Sequence, residues 1–129
     1  MELLIPKKNA TEILLEIKEE GFEINSWLIE DFRSKVKSGL YKPTVDDRLY
    51  ELKIRNWIQN SCRKMTGVFP TPVEVDMFLY PPSSTFPGIP VNEIEEKWNQ
   101  LRWLLGDILS NFENIIKNLD RYTDPNSDS

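Results

Sequence analysis

The sequence predicts an all-α fold, and three observations carry that prediction. Apolar residues in the C-terminal third, Ile94, Trp98, Leu101, Leu105, Ile108, Phe112, Ile115 and Leu119, are separated alternately by four and three positions, the spacing of one helix face. Helix-start patterns precede the apolar runs at Asn9–Glu12, Thr44–Asp47, Thr71–Glu74 and Asn92–Glu95. Six of the nine prolines fall between Val68 and Pro90, so the rest of the chain is largely free of helix breakers.

Taken in order, the first helix is expected over residues 10–20. Asn9 and Glu12 form a capping box, Ile13, Leu14 and Ile17 recur at helical spacing, and Gly21 supplies a stop. A second helix is expected over 26–38, with Leu28, Phe32 and Val36 on one face and Gly39 as terminator. Joined by a short loop, these two would lie antiparallel. Pro43 disfavours helical geometry at Lys42, so the third helix is expected from 45 to 66, capped by Thr44 and ended by Gly67. Its stripe is Tyr50, Ile54, Trp57, Ile58, Ser61 and Met65. Leu49 and Leu52 lie roughly opposite and would bury a second face of its first turns.

The connector from Val68 to Pro90 is the ambiguous stretch. Pro72 at a first helical position with Glu74 behind it favours a short helix over 72–79, whereas Val73, Val75, Met77 and Leu79 alternate as a strand would. A lone strand lacks a partner, so the helix is preferred. The last helix is expected over 93–121, with Leu109 and Ile116 widening its stripe for packing against several helices. Residues 1–122 then make one helical domain and 123–129 a flexible polar tail.

Charge is segregated along the chain. Phe32 to Thr66 carries nine basic and three acidic residues, a net +6, and the remainder carries a net −11. The simplest consequence is attraction between the two portions within one fold. The single cysteine, Cys62, forms no internal disulfide, and no stretch resembles a signal peptide or a membrane span. A cytoplasmic protein is expected.

Several chemistries are excluded. The sequence contains no histidine, which removes histidine-dependent triads and histidine-ligated metals. One cysteine cannot build a thiolate zinc site, and the five glycines form no phosphate loop. Leu104 to Leu109 resembles the second metal motif of all-α nucleotide pyrophosphohydrolases. That motif places a Glu where Leu104 stands, and the family draws its other carboxylates from a neighbouring helix rather than from the helix of Glu93 and Glu96. Val36 to Tyr41 resembles the inter-helix turn of ribbon-helix-helix antitoxins over six residues, but Phe22-Glu23-Ile24 is a meagre ribbon. Neither resemblance implies membership, and no enzyme, cofactor or metal is expected.

Binding is the remaining class. Trp103 and Asp107 lie opposite the apolar stripe of the last helix, and the aromatic run Phe78, Tyr80 and Phe86 is nearby in sequence. These five are the expected contacts of a non-enzymatic protein-interaction module, a small regulator, adaptor or inhibitor. A homodimer through the C-terminal helix is a further expectation. The alternative is nucleic-acid binding by Lys53, Asn56, Asn60, Arg63 and Lys64, which share one face of the third helix and have the groups that neutralise phosphates and read base edges.

Overall fold

The structure, a computed structural model, describes residues 1–80 and 96–125, the side chains of 96 and 97 excepted. Among them are four α-helices, α1 (Lys7–Ser38), α2 (Pro43–Thr66), α3 (Val73–Leu79) and α4 (Glu96–Asn118), and a final 3₁₀ turn (Leu119–Arg121). The all-α bundle is as expected, and its helices differ from expectation at instructive places.

The first two expected helices are one. α1 runs without interruption through Gly21, and its buried face, Ala10, Leu14, Ile17, Gly21, Leu28 and Phe32, keeps helical spacing throughout. Gly21 is therefore a packing residue and not a stop. A Cβ built there would sit 2.6 Å from Trp57 Cζ2 on α2 and 2.7 Å from Leu109 Cδ2 on α4. Both neighbours occupy the space that a side chain would take, and the Trp57 indole N–H donates to the Ile17 carbonyl at 3.1 Å beside that notch. Gly39, by contrast, is a true terminator. It adopts φ 73°, and the amides of Gly39 and Leu40 donate to Val36 and Lys35 carbonyls, a Schellman closure.

Helix starts are also set differently from expectation. α1 begins at Lys7, two residues before Asn9, and the Asp124 carboxylate accepts from the Lys7 amide. The first orphan donor is thus satisfied by a residue from the far end of the chain. In α2 the cap position is Lys42 with Pro43 at the first helical position, so Pro43 opens the helix instead of preceding it. Asp46 reaches back to accept from the Lys42 amide at 2.7 Å, so Thr44 is not the cap of this helix.

The bundle closes around α4, which packs on α1, α2 and α3. Trp98, Leu101, Leu105, Ile108, Leu109, Phe112 and Ile115 of α4 and Leu119 of the turn after it are all buried, so this apolar stripe is spent inside the chain. Phe32 stacks on Trp98 at 4.0 Å, while Trp57, Phe78 and Phe112 meet edge to face. α3 is the expected short helix. It buries Phe78 and Glu74, whose carboxylate accepts from Tyr122 and Asn118, and the Met77 carbonyl accepts from Asn111 at 2.9 Å.

The C-terminal residues expected to fray do not all do so. Leu3 and Thr123 share a backbone hydrogen bond, Thr123 donates to Met1, and Leu4 donates to Val68. Thr123 and Asp124 thus belong to the domain, and residues 126–129 lie outside the described residues, as does the Asn92–Glu95 capping box. Leu49 and Leu52 are 45% and 52% exposed, so α2 has one buried face and not two.

Candidate functional site

α1 and α2 form an antiparallel hairpin whose register is fixed by contacts along its length: Lys35 with Asp46, Asp31 with Tyr50, Ile17 with Trp57, and Glu16 and Glu20 with Lys64. On α1, the other side is taken by α4, through the Lys18–Glu113 ion pair and the Gly21–Leu109 contact. At about 100° per residue, the side left over carries Glu12, Glu19, Glu23 and Glu30, all exposed. Residues 12–31 hold seven acids and one lysine.

The outward side of α2 is of the opposite sign. Val45, Leu49, Leu52, Asn56, Gln59 and Arg63 follow one another at steps of four and three, and every one is exposed. Arg48, Lys53 and Arg55 border this line. Three consecutive apolar positions on a solvent-facing helix side, with Val45 61% exposed, have no role in this chain's core.

Between the two helices runs an open groove of about 480 Å³. Glu20 and Glu23 form one wall, Lys53, Asn56 and Asn60 the other, and Ile24, Trp27 and Trp57 the floor. Lys53 lies 5.6 Å from the Trp27 ring centre, which in turn meets Tyr50 edge-on at 5.5 Å. Beneath the loop end of the hairpin, Lys35 bridges Asp31 at 3.0 Å and Asp46 at 2.8 Å. Its ammonium is held above the usual lysine range first by the Asp46 hydrogen bond and then by Asp31. The same hydrogen bond from Lys35, aided by the Lys42 amide, pulls the Asp46 carboxyl below the usual range. Burial, and then donation to Asp31, pushes the Tyr50 hydroxyl well above its ordinary value.

No family model matches this chain, and no curated protein or solved structure matches it either.

Lys53, Asn56 and Asn60, expected together on one face, do come together, as a wall of this groove. Arg63 is exposed on the outward line, but Lys64 turns to Glu16 and Glu20. A phosphate brought to the amides would meet the Glu20 and Glu23 carboxylates across the groove, an arrangement ill suited to a polyanion. Phe78 is 1% exposed in the core and is corrected from a contact residue to a packing residue. Tyr80, at the end of α3, is 77% exposed, and Phe86 lies outside the described residues. Trp103 and Asp107 are half-buried on α4, and each already engages a neighbour.

Among the described residues, no group of three His, Cys, Asp or Glu could hold a metal ion, and no helix is long and apolar enough to cross a membrane. Burial raises the Cys62 thiol, against any lowering by Arg63 and Lys64, so the thiolate is disfavoured. Where the sequence predicts a second buried face, at Leu49 and Leu52, the structure has the exposed, outward face of α2. Its signal was present as the four-and-three spacing from Val45 to Arg63, out of phase with the core stripe.

Proposed function

We propose that the chain is a non-enzymatic protein-interaction module that docks a partner on the outward face of its α1–α2 hairpin. The observation that carries this reading is the line Val45, Leu49 and Leu52, exposed beside the groove and bordered by charges of both signs. A contiguous apolar strip within a polar rim is the composition of an interface core and its surround. The groove supplies an aromatic floor, and half-buried Trp27 is the type of residue that dominates binding energy in such settings. The face differs from the expected contacts around Trp103, where both named side chains are already engaged.

The test replaces Leu49 and Leu52 together with serine. Because both are exposed, the melting temperature should stay within about 4 °C of the unchanged chain, since surface substitutions cost within about 0.5 kcal/mol each. Binding to any partner using this face should fall by tenfold or more, about 1.4 kcal/mol. A Val73→Ser control, exposed on α3, should bind normally. Equal capture of the same proteins by the double variant and by the control refutes the assignment.

A further inference from the structure

We infer that the occupant of the hairpin face is a second copy of this chain, related by a two-fold axis parallel to the helices. The inference rests on the docking face just assigned and goes on to name its partner. Its basis is that the face is complementary to itself: α1 presents Glu12, Glu19, Glu23 and Glu30 outward, and α2 presents Arg48, Lys53 and Arg63. A two-fold axis along the helices lays α1 of one copy over α2 of the other, twice. A two-fold axis across the helices would instead set acid against acid and base against base, which costs affinity.

The axis along the helices also preserves height, so the register within one chain dictates the register between two. Within the chain, Lys64 stands level with Glu16 and Glu20, Trp57 near the height of Gly21, and Tyr50 with Asp31. At those same heights Glu30 of one copy meets Arg48 of the other, and Glu19 meets Arg63. Among the described residues none of these four side chains is held in an ion pair within its own chain. Leu49 and Leu52 come level with Trp27 and the stem of Glu30, which closes both grooves between the copies. The area is sufficient. α2 has 24 residues. At 1.5 Å per residue it spans about 36 Å, and two helices side by side offer roughly 700 Å² per copy, near the ~800 Å² per partner of a standard interface.

The experiment is sedimentation equilibrium of the full chain at about 50 mM and about 1 M salt, where the screening length drops to roughly 3 Å. Three variants accompany it: an acid-reversed chain (Glu19→Lys with Glu30→Lys), a base-reversed chain (Arg48→Glu with Arg63→Glu), and all four changes in one chain. Circular dichroism verifies that each is folded, which is expected because all four positions are exposed. The unchanged chain should dimerise at low salt and dissociate at high salt. Each two-site variant alone should weaken dimerisation at least tenfold. Equimolar mixing of the two should restore a mixed dimer, because every contact is then acid on base, and the four-site chain should dimerise by itself.

Dimers that persist unchanged in both two-site variants overturn the two-fold arrangement. An unchanged chain that stays monomeric at about 100 μM overturns the second copy as occupant. In that event a lysine-rich amphipathic peptide is titrated against the chain with Trp27 as reporter, using Trp27→Phe to assign the signal. A saturable response lost in the acid-reversed chain keeps the docking face and gives it a basic partner. No response to this peptide or to a glutamate-rich counterpart removes the docking face as well.

Discussion

Replacing Gly21 by alanine separates two readings of one residue. If Gly21 merely weakens a helix, alanine should stabilise the protein by about 1 kcal/mol through helix propensity. The structure demands the opposite. The new Cβ would lie 2.6 Å from the Trp57 ring and 2.7 Å from a terminal methyl of Leu109. Leu109 can rotate away, but Trp57 is a rigid ring anchored by its hydrogen bond to Ile17 and by Phe78 against its edge. Overpacking of this kind costs about 1–3 kcal/mol, and displacing the indole endangers a buried hydrogen bond worth roughly 1 kcal/mol more. After the propensity gain is subtracted, a loss of about 2 kcal/mol remains, or roughly 7 °C in melting temperature for a chain of this length. Urea unfolding followed by circular dichroism measures it directly. Trp57→Leu should relieve the clash, so the double variant should be less destabilised than the sum of its parts by at least about 0.5 kcal/mol. A Gly21→Ala chain as stable as the original, or more so, would refute the notch.

Three further outcomes are expected. Asp124→Ala should remove the acceptor for the Lys7 amide and cost about 1 kcal/mol, with faster amide exchange confined to the first turn of α1. Phe78→Ala should cost about 3–5 kcal/mol, because the ring is buried between Trp57 and Phe112, whereas Tyr80→Ala at the exposed neighbouring position should be nearly neutral. Stability should also fall at both ends of the pH scale for assignable reasons. The folded Asp46 value lies below its unfolded value of 3.8, so its contribution is present above that value and is lost as pH falls below it. Asp46→Asn should therefore be less stable at neutral pH and flatter on the acid side. Tyr50 is raised above its unfolded value of 10.0, so its contribution is present below that value and is lost as pH rises beyond it. Tyr50→Phe should flatten the alkaline limb, as measured by urea midpoints from neutral pH to about pH 11.

Much of the fold was legible one residue at a time. The stripe of α4 was readable because a helix face repeats every three to four residues whatever surrounds it. Gly39 and Gly67 were readable as ends because they follow the last apolar positions. The short α3 was readable from Pro72 and Glu74. The candidate site was legible only in part. Lys53, Asn56 and Asn60 were found as a group because they share one side of one helix, but their acidic neighbours Glu20 and Glu23 come from another helix and gave no local sign.

Composition and periodicity by themselves determined that this chain is an all-α bundle, that its charge is divided, and that histidine-dependent chemistry is closed to it. Only the tertiary structure decided that Gly21 lies within a helix, because the permissive backbone of glycine suits either a stop or a notch, and the Trp57 ring chooses between them. It likewise decided that α1 is capped by Asp124, 117 residues away in the chain. Leu49 and Leu52 carry the same apolar side chain as any core leucine, and they became surface because α1 and α4 occupy the other sides of α2. Local rules act through bonds a few residues long, whereas burial depends on which elements arrive on each side, and that is a property of the assembled fold.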